Sequence, residues 1–100
     1  MEYFLIEGRI TNEKLINDDI MKEHITYSKK AIDKGLILMS GLKSDMSGGL
    51  FVMAADSISK IEKYLSNEPL KVYGIQDYKV IKFDPHFFNK SKVNDLIENK

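Results

Sequence analysis

The sequence contains no cysteine. Disulfides, thiolate zinc sites and thiol catalysis are therefore excluded. Neither sign of charge is in excess, because 15 basic and 15 acidic residues cancel. Without a global positive field, nucleic acid and anionic membranes fit poorly as partners. No apolar run approaches the ~20 residues that a membrane span requires. The N-terminus, MEYFLIEGRI, lacks the basic leader and long apolar stretch of a signal peptide. These absences point to a cytoplasmic protein.

What remains is an ordinary globular composition, 43% hydrophobic and 30% charged, which argues against disorder. One hundred residues make one domain. Its core is expected over about 1–85, with a polar tail over 86–100. A chain this short buries only roughly 60–70% of its unfolded surface. Association with a second copy is a common remedy for so modest a core.

The pattern along the chain alternates between sheet and helix. Tyr3 to Arg9 is aromatic and aliphatic and reads as a strand. Thr11 or Asn12 is expected to cap a helix that carries Leu15, Ile16, Ile20, Met21, Ile25, Ala31 and Ile32 at helical spacing, with Glu13 in its first turn. Gly35 ends it. Leu36 to Leu42 and Leu50 to Ala55 read as two strands of an antiparallel hairpin, joined by a polar turn that contains Gly48 and Gly49. Asp56 or Ser57 caps a second helix bearing Ile58, Ile61 and Leu65, which ends near Asn67 and Pro69. A short turn or helical loop over Leu70 to Gly74 precedes a last strand, Gln76 to Phe83. Val93, Leu96 and Ile97 suggest a terminal helix in the tail. Strand, helix, strand, strand, helix, strand is the split βαβ order, an α+β ferredoxin-like fold with a four-stranded antiparallel sheet.

Three of the strands are apolar on both faces: Tyr3 to Ile6, Leu36 to Met39 and Leu50 to Ala55. Two helices cover one face only, so the other needs a second cover. A face-to-face homodimer through the open sheet face is the economical answer. The alternative is a curved sheet partly covered by the tail.

Few residues offer chemistry. His24 shares the inward stripe of the first helix with Ile16, Ile20, Tyr27 and Ala31. Such a histidine must be hydrogen-bonded, either as a core stitch or as a working acid/base. Glu68, fixed in place by Pro69, is either a surface acid at a helix end or a partner that would orient an imidazole. Asp84 and His86 have no metal-ligand spacing with His24. Gly48 and Gly49 suit a hairpin turn better than a phosphate cradle. Ser40, Ser44 and Ser47 lie in no nucleophile motif. Tyr3, Tyr27, Tyr73 and Tyr78 could line a pocket or simply pack.

A helix histidine in EHITYSKKAIDKGLILMSG, a glycine-ended helix, a strand closing in Ser-Gly, and an acid-Pro pair in NEPLKVYGI form an ordered set. In this order and spacing the chain resembles the YciI-like, or YCII-related, family over roughly residues 1–85. The resemblance implies a ferredoxin-like fold that dimerises into an α+β barrel. It also implies a site in which the helix histidine, here His24, meets the aspartate of an Asp-Pro motif. Glu68-Pro69 occupies that position here, with the same charge one methylene further out. Many members have no assigned activity, so the resemblance supplies a pocket and no reaction. With no metal motif and no nucleotide fingerprint, no cofactor is expected.

Three functions remain open on this reading. The first is proton-transfer chemistry (isomerisation, elimination or tautomerisation) on a small molecule, with His24 as acid/base and Glu68 as its orienter. The second is a binding module that holds a metabolite without turning it over. The third is a structural or partner-binding dimer, in which His24 would be sealed in the core.

Overall fold

The computed structural model describes residues 1–92. Four strands form one antiparallel sheet: β1 (Glu2–Ile10), β2 (Ile37–Leu42), β3 (Gly49–Ala55) and β4 (Gln76–Phe83). Their order across the sheet is β2-β3-β1-β4. The helices are α1 (Asp18–Asp33), α2 (Ile58–Ser66) and the single turn α3 (Pro69–Val72). This is the expected ferredoxin-like architecture, and the last strand has the expected bounds. The terminal helix expected around Val93, Leu96 and Ile97 lies outside the described residues.

The helix-side face of the sheet is built from alternate residues. Phe4 and Ile6 of β1 stand beside Met53 and Phe51 of β3, and Ile6 also stands beside Val80 of β4. With Ile37, Ile61 and Leu65 they form the core. Phe4, Ile6, Met53 and Ile61 are sealed from solvent. Burying each such side chain contributes about 1.5–3 kcal/mol.

The first helix begins later than the pattern suggests. Thr11 donates to the Ile75 carbonyl and does not cap. Glu13–Leu15 make one 3₁₀ turn, and Ile16 returns to extended backbone. Asn17 is the cap, its side chain accepting from the Ile20 N–H at 2.9 Å. Asp18 and Asp19 then occupy the first turn, where the helix dipole favours them. The interruption leaves Ile16 outside the helix, where it lines a cleft. Of the whole of α1, only Ala31 is fully buried. Ile25 and Ile32 are half exposed, so α1 stands partly off the sheet.

A second departure lies in β2. Ile37 pairs with Met53, but Met39 pairs with Val52, so the register shifts at Leu38. The extra residue reverses the alternation of the strand. Met39 is thereby turned to the open face, and Ser40 and Leu42 to the helix side.

The β2–β3 turn is closed by the Lys43 N–H to the Gly48 carbonyl. Its left-handed residue is Met46, not a glycine. Gly48 is required for a different reason: a Cβ there would sit 2.0 Å from the Gly8 carbonyl oxygen. That close approach lets the Ile10 N–H donate to the Ser47 carbonyl at 2.7 Å, which fastens the turn to β1.

Candidate functional site

Between α1 and the helix side of the sheet lies a cleft of about 690 Å³. Met21, His24, Ile25 and Ser28 of α1 form one wall; Ile37, Ser40, Leu42 and Phe51 of the sheet form the other. Glu68, Leu70 and Gln76 line it as well. The space follows from the two irregularities above. The delayed start of α1 brings Ile16 to the cleft, and the shift at Leu38 presents Ser40 and Leu42 to it.

Glu68 is the most constrained polar group in this region, with 1% exposure. It is not a surface acid. It caps α3, with Oε2 accepting from the Leu70 N–H at 2.9 Å and the Lys71 N–H at 3.4 Å. Pro69 at the first helical position suits this cap, because its missing N–H has no partner to lose. The Tyr78 hydroxyl donates to the same oxygen at 2.6 Å. Oε1 is left for His24, whose Nδ1 hydrogen-bonds to it. The two carboxylate oxygens thus divide the work: one anchors backbone and tyrosine, the other holds the imidazole.

His24 is a quarter exposed, and its ring lines the cleft. A carboxylate accepts only. With Nδ1–H donating to Glu68, the neutral ring keeps its lone pair on Nε2.

The network extends beyond the pair. Gln76 donates from Nε2 to the Tyr78 hydroxyl at 2.9 Å, and its Oε1 accepts from the Gly49 N–H at 2.9 Å. A chain of hydrogen bonds therefore runs from the start of β3 through Gln76, Tyr78 and Glu68 to His24. Gly8 makes room for it, since a Cβ at that position would lie 2.5 Å from Gln76 Oε1. Gln76 was invisible as a site residue in the sequence. Tyr78 was visible only as one tyrosine among several. The signal that unites them is their spacing of two on one strand, which puts both on one face.

The remaining candidates separate. Tyr27 stacks on Tyr64 with ring centres 4.6 Å apart and donates to its carbonyl. Tyr73 bonds Glu23. Tyr3 belongs to the open face, paired with Ala54 and Phe83. Ser40 reaches the cleft, whereas Ser44 lies in the exposed turn. His86 sits in the exposed tail beside Phe87, apart from His24. Among the described residues no three potential ligands gather as a metal centre.

Two phenols, the buried Tyr64 and the half-buried Tyr78, resist ionisation. Burial, then the hydrogen bond to Glu68, pushes Tyr78 far above the ordinary tyrosine range. Burial pushes Tyr64 up to about 12. The unfolded chain releases these protons near pH 10. Above that pH the unfolded state binds fewer protons than the folded one, so stability falls as pH rises. For Tyr64 the window runs from its ordinary value of 10 to about 12. Urea midpoints should therefore drop across that window, and drop less in Tyr64→Phe. An identical drop in the variant would contradict this assignment.

A family model for the YCII-related domain matches residues 1–84. The chain belongs to the YCII-related family. Among solved structures, it is similar to 5-chloro-2-hydroxyhydroquinone dehydrochlorinase from Burkholderia phenoliruptrix, determined in complex with 2,5-dihydroxybenzoquinone. The two share 21% identity and superpose with a TM-score of 0.66, over 89% of this chain and 97% of that one. At that identity the likeness establishes the fold of this YCII-related chain. No curated protein matches the sequence. Among the described residues, no helix is long and apolar enough to cross a membrane.

Proposed function

We propose that this YCII-related protein is a small-molecule enzyme that moves a proton at the cleft, with Nε2 of His24 as acid/base and Glu68 as its positioning partner. The observation that carries the reading is the placement of His24. It is tied at Nδ1 to a buried carboxylate and is open to a cavity of substrate size. A merely structural histidine has no need of the cavity, and a sealed one would have no access to it. Fixing one nitrogen orients the ring and stabilises the imidazolium formed when the other takes a proton.

The accessible reactions are eliminations, isomerisations and tautomerisations that begin with loss of a proton from carbon or oxygen. A related fold performs a dehydrochlorination in the bacterial neighbour, which is an elimination of this kind. Deuterium exchange from solvent into hydroxylated rings and cyclic enols, followed by proton NMR, is a direct assay. The His24→Ala protein should remain folded by circular dichroism, with a lower melting temperature because Glu68 Oε1 loses its partner, and should lose exchange by about 10²–10⁴-fold. Undiminished exchange would remove His24 from the mechanism. A ligand bound in the cleft and recovered without exchange would favour binding without catalysis.

In this reading the working unit is a homodimer in the cytoplasm. The sheet face away from the helices carries Leu5, Met39, Leu50, Val52, Ile81 and Phe83. All except Leu5 and Val52 are more than a third exposed. The two-sided apolar strands of the sequence correspond to this face, and a second copy presents the same surface.

A further inference from the structure

The cleft around His24 has no cationic side chain among the described residues that line it. Its formal charges are acidic: Glu68 at the buried end, and Glu13 and Asp45 among the exposed residues. Lys43 lies two residues before Asp45, but its ammonium is committed to Glu7 at 2.9 Å. Glu7 stands between Leu50 and Lys79 on the opposite face of the sheet. Asp45 is held in its charged form first by the Ser47 hydroxyl, then by the Ser47 N–H, which donates to it at 3.0 Å, with a smaller contribution from the charge of Lys43.

These charges decide what can enter. When His24 is neutral, Glu68 adds a third negative charge to those of Glu13 and Asp45. When His24 is protonated, it cancels Glu68 and leaves the other two. Neither state gives the cleft a net positive charge. An anion entering it would lose hydration and find no charged partner. A cation would be drawn to the acidic pair, yet would have to shed water against Ile16, Ile25, Ile37 and Phe51. An uncharged molecule meets apolar walls and the neutral side chains of Ser28, Ser40 and Tyr64.

We propose that the site takes an uncharged, largely apolar small molecule, and discriminates against carboxylates and phosphates of the same size. This inference rests on the cleft being the ligand site, as in the reading above. It goes beyond that reading by fixing the charge class of the ligand.

The test uses three phenols that differ only at the para position: 4-hydroxybenzyl alcohol, 4-hydroxybenzoate and 4-hydroxybenzylamine. Each is titrated into the full-length protein at low ionic strength, with the His24 resonances followed by NMR. The alcohol should bind most tightly, and the benzoate about tenfold or more weakly. The deficit of the benzoate should shrink in the Glu13→Gln/Asp45→Asn double variant and in higher salt. A benzoate that binds as tightly as the alcohol overturns the proposal. So does an amine that binds tightest, or a failure of all three to shift His24. Binding order is read without turnover, so the two claims fail separately. Loss of the order with His24-dependent exchange intact overturns the charge class alone. An intact order with undiminished exchange in His24→Ala overturns the catalytic reading alone.

Discussion

Replacing Glu68 with alanine should cost about 3–5 kcal/mol of folding stability, because it removes the shared acceptor of several donors at once, each hydrogen bond to a charged group contributing about 1.5–3 kcal/mol. The side chain is sealed in the interior and serves four donors: His24 Nδ1, the Leu70 and Lys71 N–H groups and the Tyr78 hydroxyl. Alanine leaves α3 without its cap and Tyr78 without its acceptor. Glu68→Gln keeps the volume and one acceptor oxygen, so its loss should be smaller, about 1–3 kcal/mol. Glu68→Asp keeps a carboxylate at the cap but withdraws it by one methylene from His24 and Tyr78, so it should fall between wild type and alanine. Urea unfolding near pH 7 measures all three, as a lower midpoint with an unchanged slope. A loss below about 1 kcal/mol for Glu68→Ala would mean that the carboxylate does not hold this corner of the fold.

The second large effect concerns association. Val52 is central on the open face, paired with Leu5 on one side and Met39 on the other. In the proposed dimer a glutamate at this position would bury an unpaired charge. The dissociation constant should rise by at least about 10²-fold, equivalent to roughly 3 kcal/mol. The monomer itself should survive, because the substitution leaves the helix-side core of Phe4, Ile6, Met53 and Ile61 untouched. Sedimentation equilibrium gives the stoichiometry, and circular dichroism verifies the fold. A Val52→Glu protein that sediments like wild type would sink the open-face dimer, as would a wild type that is monomeric at micromolar concentration.

The fold was legible because local patterns and global architecture agree. Gln76 to Phe83 forms the last strand with the expected bounds, and Gly35, with its left-handed backbone, stops α1 as expected. The misreadings are also physical. Thr11 and Asn12 are good capping residues, but Asn17 captures the Ile20 N–H and the chain before it turns in 3₁₀ form. A single extra residue at Leu38 carries no sequence signal, yet it decides which side chains of β2 face the cleft. Gly48 read as a turn glycine, whereas its constraint is the Gly8 backbone packed against it.

The site was partly legible. His24 and Glu68 stood out, one by its place in an apolar stripe and the other by the proline after it. The resemblance to the YCII-related family paired them. What a single sequence does not contain is the register of β4 against β1, which sets Tyr78 opposite Gly8 and Gln76 opposite Ile10. That register brings the hydroxyl and the amide into the network behind Glu68.

The central claim is that Glu68 fixes His24 by Nδ1 and leaves Nε2 to the cleft. Long-range proton–nitrogen correlation spectra of the His24 ring, which distinguish a protonated from a lone-pair nitrogen, test it most directly. The account predicts a protonated Nδ1 and a lone-pair Nε2 in the wild type, with the Nε2 signal moving when a ligand enters the cleft and the preference weakened in Glu68→Gln. A ring protonated at Nε2, or shifts that average the two nitrogens equally in both proteins, would contradict it.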